Sequence, residues 1–237
     1  MSKAVRRGYV EKDEIQFGVE AMEQMKKAAY EIHFFLNQGY DTKSATTFVG
    51  NHYLLSERQR LALARSIAPD EMIESRRKKQ ISLQALEGKE VVIDGFNTII
   101  TLEVALSGSL LLQGMDHCIR DLAGLRGTYR IIEVTEKAVD LILDKLAEIK
   151  VSGAIFYLDA PVSNSGRLKG LILELAKKYE LNVSVEVVNE VDRILERSER
   201  VITSDAIILN RCNGWINLNE ELLGNINEAW CVDLTMK

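Results

Sequence analysis

Four aspartates, Asp94, Asp159, Asp192 and Asp205, each stand at or just after the downstream end of an apolar run that reads as a strand: VVI, AIFYL, VSVEVVNEV and VITS. If these runs lie parallel in one sheet, their carboxylates leave it along a single edge, where open α/β sheets bind ligands. Carboxylates crowded together repel, and their pKa values rise until a cation or donor group relieves them. An all-oxygen set with no matching His or Cys cluster suits Mg²⁺ or Mn²⁺, which attach to a few carboxylates and keep positions open for water and phosphate.

Each acid also has a structural role to weigh against this. In IDGFN, Gly95 allows a tight departure from the strand and Asn97 projects near Asp94, an arrangement that also suits a hydrogen-bonded turn. Asp205 in TSDAII opens a helix, where an aspartate caps as readily as it binds an ion. Asp192 in NEVDRILERS pairs at i,i+4 with Glu196, a like-charge pair on a solvated helix face. The segment DAPVSNSG runs from Asp159 into a helix N-terminus, where Ser163, Ser165 and backbone amides with Arg167 and Lys169 nearby form a phosphate-binding candidate, or an ordinary loop with a serine cap. The constellation is stronger than any one member.

The elements that must position these groups fall into two stretches. Met22, Met25, Ala29, Ile32, Phe35 and Leu36 recur at helical spacing, with Gly39 as a stop signal. Asp41 or Thr42 caps a shorter helix, Ser56 and Gln59 make a capping box for a third, and a further helix is expected from Asp70 to about Leu86. Residues 1–88 therefore read as a helical domain and 89–237 as an α/β domain. In the second stretch Val91–Ile93, Ala154–Leu158, Val183–Val188, Val201–Thr203 and Trp215–Leu218 are strand candidates. Helices are expected from Thr135 to Lys150, after a Ser165 cap, near Asp192–Ser198 and Ala206–Cys212, and at the end behind an Asn219 cap. That alternation requires a parallel sheet with helices on both faces. Thr98–Arg130 is the least readable part: Ile99–Leu112, with Ser107-Gly108-Ser109 between two apolar stretches, reads either as a hairpin or as a helix followed by a turn, and His117–Leu125 as a short helix.

A chain of 237 residues, 46% hydrophobic, is long enough for one large or two modest cores. No run approaches the roughly 20 apolar residues that cross a bilayer, so no membrane partner and a cytoplasmic location are expected. Cys118, Cys212 and Cys231 are odd in number and widely spaced, which indicates reduced thiols rather than a disulfide framework or zinc site. The net charge of −5 is unevenly divided: residues 1–90 hold 15 basic and 13 acidic side chains, and residues 91–237 hold 15 and 22. A mildly basic helical half beside an acidic half suits an enzyme whose polyanionic substrate is held partly by its neighbouring module. Arg58, Arg60, Arg65 and the run Arg76–Lys79 are its phosphate-contacting candidates, with a solvated helix face as the alternative. Trp215 and Trp230 are expected to pack rather than stack on bases.

The succession IDGFN, DAPVSNSG, VDRIL and TSDAII resembles the PIN-like and NYN superfamily of metal-dependent nucleases. Over nearly its whole length the chain also resembles a largely archaeal family of two-part proteins, through LNQGY, FVGNHYLLSERQR and Ala64-Arg65-Ser66, then TLEVALSG, IRDLAGLRGTYR and DAPVSNSG. The resemblance implies a small all-α domain followed by a PIN-like three-layer α/β domain. Asp94 matches the first superfamily acid, Asp192 the acid opening a later short helix, Asp205 the acid of the Thr-Ser-Asp motif, and Asp159 a strand-end acid of the NYN branch. Glu103, Asp116 and Asp121 compete for the helix-borne acid between the first and later motifs. Arg120, Asp121, Gly127, Tyr129 and Arg130 match the narrower family, in a substrate-binding or a structural role.

The expected function is a metal-dependent ribonuclease. Asp94, Asn97, Asp159, Asp192 and Asp205 are its catalytic candidates, and the four aspartates would hold Mg²⁺ or Mn²⁺. Ser163, Ser165, Arg120 and Arg167 would contact RNA, and the helical half would guide the strand or carry a homo-oligomer or protein contact. The alternatives are a catalytically inactive PIN-like module binding RNA, a nucleotide or protein, and a phosphatase or nucleotide hydrolase using the same metal chemistry.

Overall fold

The computed structural model describes residues 5–124 and 127–235. It opens with five helices: α1 (Asp13–Gln16), α2 (Val19–Asn37), α3 (Thr42–His52), α4 (Glu57–Ser66) and α5 (Asp70–Lys79). α2 buries Met25, Ala28, Ala29, Ile32 and Leu36 along one stripe, as residues three and four apart share a helix face. Asp41 caps α3 by accepting from the Ser44 amide, and both bonds of the Ser56–Gln59 capping box form at α4. The helix expected to reach Leu86 stops at Lys79. Gln80 takes an extended backbone and bridges to Trp215, and the Ile81 amide donates to the Trp215 carbonyl at 2.8 Å. Only a 3₁₀ turn at Leu83–Leu86 follows.

The rest of the chain runs β1 (Glu90–Asp94), α6 (Gly95–Leu106), β2 (Leu110–Gln113), β3 (Ile119–Asp121), α7 (Thr135–Glu148), β4 (Gly153–Asp159), α8 (Ser165–Ala176), β5 (Val183–Val188), α9 (Val191–Leu195), β6 (Val201–Ile202), α10 (Ala206–Arg211), β7 (Trp215–Ile216), α11 (Leu218–Leu223) and β8 (Trp230–Asp233). Five strands form one sheet in the order β5-β4-β1-β6-β7, every neighbouring pair parallel. Successive side chains on a strand point to opposite faces. Val91, Ile93, Phe156 and Leu158 accordingly join the core built with α6, α7 and α8, while Val92 and Tyr157 pack with Val191, Ile208 and Trp215. Helices cover both faces, which a parallel sheet of such apolar strands needs.

A second sheet, β3-β2-β8, pairs β2 antiparallel with β3 and parallel with β8. Its Leu110, Leu112 and Val232 share one apolar cluster with Met25, Ile32, Val49 and Leu63 of the helices. The segment left open in the sequence is thus a helix followed by a hairpin, turned at His117 with φ 61°. The short helix expected over 117–125 is replaced by β3, because Ile119–Asp121 pairs with β2; Leu125 lies outside the described residues. Near the end of the chain Asn217, not Asn219, occupies the cap position of α11, its side chain donating to Glu220 and the His117 carbonyl rather than capping the helix backbone, and β8 follows as a strand absent from the sequence reading. Cys118, Cys212 and Cys231 are free thiols. Among the described residues no helix is long and apolar enough to cross a membrane.

A buried ionic cluster joins these parts. Asp116, in the β2–β3 turn, accepts from both Arg120 nitrogens at 2.8 and 2.6 Å and from Arg76 of α5 at 2.5 Å. Arg76 also donates to the Asn210 side-chain Oδ1 of α10 at 2.8 Å, and the Trp215 indole donates to the Arg76 main-chain carbonyl at 2.7 Å. Arg120 in turn donates through Nε to the Ser204 carbonyl at 2.8 Å, just after β6. Gly114 makes room for the pair: a Cβ there would stand 2.3 Å from an Arg120 nitrogen. Burial opposes ionisation of Asp116, but the two guanidiniums outweigh it and hold its carboxyl at about 2. A depressed carboxyl contributes stability above its unfolded-state value, lost as pH falls through the folded one. Asp116→Asn is therefore expected to cost roughly 3–5 kcal/mol at pH 7, by leaving two buried guanidiniums facing a neutral amide. Denaturant unfolding should show that gap narrowing as pH drops from 4 towards 2; an unchanged midpoint at pH 7 would remove the cluster from any structural role.

Candidate functional site

The order β5-β4-β1-β6 places one aspartate on each of four adjacent strands or on the turn just beyond. Asp94 ends β1 and Asp159 ends β4, two residues past the Tyr157 that pairs with Asp94. Asp192 lies in the first turn of α9 after β5, and Asp205 caps α10 after β6. From β1 the chain builds outward through β4 to β5, then returns to lay β6 along the other side of β1. In open parallel sheets the connections diverge at such a reversal, and the crevice beyond the carboxyl ends of the strands there, β1 and β6 in this chain, is where ligands bind. Asp94, Asn97, Thr203, Ser204 and Asp205 gather there.

Local bonds hold them in place. The Thr203 hydroxyl donates to Asp94 Oδ2 at 2.8 Å and accepts from the Asp205 amide at 3.1 Å. Ser204 donates through its amide and its hydroxyl to Asn97 Oδ1 at 2.8 and 2.9 Å, which fixes the orientation of the carboxamide. With Oδ1 so engaged, the Asn97 NH₂ has no acceptor among the described residues and remains a donor. Gly95 allows α6 to leave the sheet this close to β4, since a Cβ there would meet the Leu158 side chain at 2.5 Å and the Tyr157 carbonyl at 2.9 Å. Asp205 does cap its helix, accepting from the Ile207 and Ile208 amides at 2.7 and 3.2 Å. Both bonds use Oδ1, so capping leaves Oδ2 available.

The four acids influence one another electrostatically. Burial raises Asp94 to about 7, against the pull of the Thr203 hydroxyl, and the charges of Asp205 and Asp159 add to the rise. Asp159 is raised by partial burial and then by Asp192, and Asp192 by partial burial and then by Asp205 and Glu196. Glu196 itself is paired with Arg211 at 2.6 Å. The couplings close a ring from Asp94 to Asp159, Asp192, Asp205 and back. Among the described residues no three or more His, Cys, Asp or Glu side chains stand close enough to hold a metal ion directly. The donor chemistry nonetheless fits a hard cation: Asp94 is buried with a hydroxyl for its side-chain partner, and Mg²⁺ retains several of its own waters while binding only one or two carboxylates.

The expected substrate contacts are placed differently from one another. Ser163 is exposed, but its hydroxyl exchanges bonds with the Tyr129 amide and carbonyl at 2.8 and 3.0 Å, and its amide donates to Gly127. Asn164, left-handed at φ 62°, holds the cap position of α8 and donates to the Tyr129 carbonyl at 2.6 Å. Ser165 is therefore the first helical residue and buried, not the cap. Arg167 is exposed, whereas Arg120 is buried beneath the Thr-Ser-Asp segment. Lys169 is half-buried.

None of the three candidates for a helix-borne acid faces the crevice unencumbered. Glu103 is fully buried and accepts from Arg7, the Tyr129 hydroxyl and the Thr135 hydroxyl. Asp116 belongs to the arginine cluster, and Asp121 accepts from the Ala123 amide at 2.7 Å and Thr101 at 3.3 Å. Two of the helical half's arginines are likewise turned to internal partners, Arg58 forking onto Asp13 and Arg60 onto carbonyls of Gly50 and Leu55, whereas Arg65 is half-buried and Arg77 exposed. Of the basic run, Arg76 and Lys79 bind α10, while Lys78 stays exposed beside Glu74. Sequence reasoning singled out Asp205 in TSDAII and passed over Thr203 and Ser204. Their signal was the hydroxyl pair immediately before that acid.

Two family profiles match the chain, the Protein of unknown function DUF434 over residues 24–79 and the Domain of unknown function DUF5616 over residues 83–221. The Uncharacterized protein MJ0935 of Methanocaldococcus jannaschii is 35% identical over 189 residues, covering 80% of this chain and 90% of the relative. No solved structure matches the chain. The DUF5616 match spans the five-stranded sheet and all four aspartates, and the chain belongs to that family, with the DUF434 segment preceding it.

Proposed function

We propose that this chain is a divalent-cation-dependent phosphodiesterase of PIN-like fold that hydrolyses RNA. The observation that supports the reading is that four aspartates stand at or just beyond the carboxyl ends of four adjacent parallel strands, each coupled electrostatically to its neighbours, with Asp94 and Asp205 nearest the point where the strand order reverses. Asp94, Asp159, Asp192 and Asp205 are the groups that would hold Mg²⁺ or Mn²⁺, directly or through water. When bound, such an ion neutralises charge on a phosphate and lowers the pKa of a water. The chain's own residues do the rest. Thr203 holds Asp94 Oδ2 and fixes the orientation of its carboxylate. Asn97, oriented by Ser204, offers its NH₂ to a phosphate oxygen. Arg120 positions the Ser204 carbonyl from below, and Arg167 supplies exposed positive charge on α8. Without a cation, burial holds Asp94 at about 7, and a bound divalent ion would favour its charged form, so the raised value marks a carboxylate that gains from metal binding.

A second reading, a module that binds RNA, a nucleotide or a protein without cutting, draws on one observation: Glu103, Asp116 and Asp121 are all engaged in buried bonds. Labelled single-stranded, structured and duplex RNAs incubated with the full chain and Mn²⁺ separate the two. Cleavage is expected, and Asp94→Asn or Asp205→Asn should reduce it by about 100-fold or more, the scale of several kcal/mol of lost charge stabilisation. Asn caps a helix as well as Asp does, so Asp205→Asn isolates chemistry from folding. Cleavage undiminished in both variants rejects the site, and binding without cleavage selects the second reading. Turnover of a small phosphate ester with no action on RNA would instead indicate a phosphatase.

The same site predicts a pH-dependent stability. Asp94 has a raised folded pKa, so between 3.8 and about 7 the native state binds more protons than the unfolded chain, and stability falls as pH rises through that window. At about 1.4 kcal/mol per pKa unit the penalty above pH 7 reaches up to roughly 4 kcal/mol. Asp94→Asn escapes it. In chelator-treated protein the variant should melt higher than the parent at pH 8 and equally at pH 4, and Mn²⁺ should raise the parent's Tm selectively. A variant no more stable than the parent at pH 8 contradicts the picture of an uncompensated buried carboxylate.

A further inference from the structure

Three of the chain's six phenylalanines, Phe34, Phe35 and Phe48, meet on the outer face of α2 and α3. Phe35 is the hub, with its ring edge-to-face against Phe34 at 5.9 Å, Tyr40 at 5.5 Å and Phe48 at 5.7 Å. The surrounding rings are largely in water: Tyr30 is 59% exposed, Phe34 55%, Tyr40 59% and Phe48 67%. Isolated exposed aromatics are ordinary, but a contiguous group marks an interaction site. Tyr30, Glu31, Phe34, Phe35, Phe48 and His52 line a cavity of about 340 Å³.

The charge inside this cavity discriminates between occupants. Glu31 is the one carboxylate in the lining, and no lysine or arginine joins it there. Its Oε1 accepts from the Tyr53 hydroxyl at 2.6 Å, which anchors the side chain. Among the described residues no cationic side chain lies within ion-pair distance of it. Aromatic faces carry negative potential, so the rings and the carboxylate together favour a cation. A nucleobase would stack on the same rings, but single strands are held by grooves that are basic along the backbone, and here the phosphate would meet Glu31. Between cations, a guanidinium suits the site better than an ammonium: its plane stacks on rings while its fork bonds a carboxylate in two places.

We propose that the aromatic pocket between α2 and α3 receives an arginine side chain of a partner protein, its guanidinium stacked on Tyr30, Phe34 and Phe48 and paired with Glu31. The site is independent of the acidic crevice and stands whether or not the chain cleaves RNA.

The test is an NMR titration of the full chain with a short peptide carrying one central arginine, beside the same peptide with neutral citrulline and beside uridine monophosphate. The arginine peptide is expected to shift resonances of Tyr30, Phe34 and Phe48 and to bind at least about fivefold more tightly than the citrulline peptide. Glu31→Gln, which keeps an acceptor for Tyr53, should weaken it by a similar factor, and Phe48→Ala, at an exposed position, should abolish the shifts while leaving the remaining spectrum intact. Equal binding of the citrulline peptide, preferential binding of uridine monophosphate, or no response to the arginine peptide would each overturn the proposal. So would a concentration-dependent dimer of the free chain that Phe48→Ala dissociates, since the occupant would then be a second copy.

Discussion

One buried carboxylate set between two guanidiniums organises this protein. Asp116 lies in a hairpin turn, Arg76 at the end of a helix forty residues earlier in the chain, and Arg120 on the returning strand. Taking three charges out of water is costly, and the cluster persists because each charge meets good hydrogen-bonding geometry. Its reach extends further through Arg120 to the Ser204 carbonyl and through Arg76 to Asn210 and Trp215. The helical segment, the second sheet and the loop after β6 are thereby held in one arrangement.

That arrangement contrasts two aspartates with opposite environments. Asp116 has two positive partners and a pKa of about 2; Asp94 has a threonine hydroxyl and the charges of two other aspartates, and a pKa of about 7. The first stabilises the native fold at neutral pH, and the second destabilises it. An over-neutralised acid thus sits at the centre of the fold while an under-neutralised one stands at the sheet edge. Arg58, Arg60 and Arg76 of the helical half are likewise bound to internal acceptors, so part of that half's positive charge is spent on the fold.

What could be read from the chain was local. The capping box at Ser56, the cap at Asp41 and the stripe on α2 depend on residues within four positions of one another, and all three are present. The parallel strands were legible because each contains a short apolar run, and four of the five have an aspartate at or shortly after their end. Most misreadings involve pairing partners beyond the span of a helical turn, and the cap of α11, at Asn217 rather than Asn219, is a local exception. α5 stops at Lys79 because Gln80 pairs with Trp215, β3 is a strand because β2 lies beside it, and β8 exists because Leu110–Gln113 offers it an edge. Ser165 lost the cap to Asn164, whose left-handed backbone is set by a bond to Tyr129.

The identities of the acids, their places after apolar runs and the alternation of strand and helix were determined by the amino-acid sequence alone, since hydrophobic period and turn chemistry act over a few residues. Strand order was not, and strand order is what makes four separate aspartates into one electrostatic ring. Nor did the sequence distinguish an arginine that meets solvent from one that meets Asp116. Both depend on which distant segments share a low-dielectric interior, where a charge must find its partner or shift its proton affinity, and only the tertiary structure decides who those neighbours are.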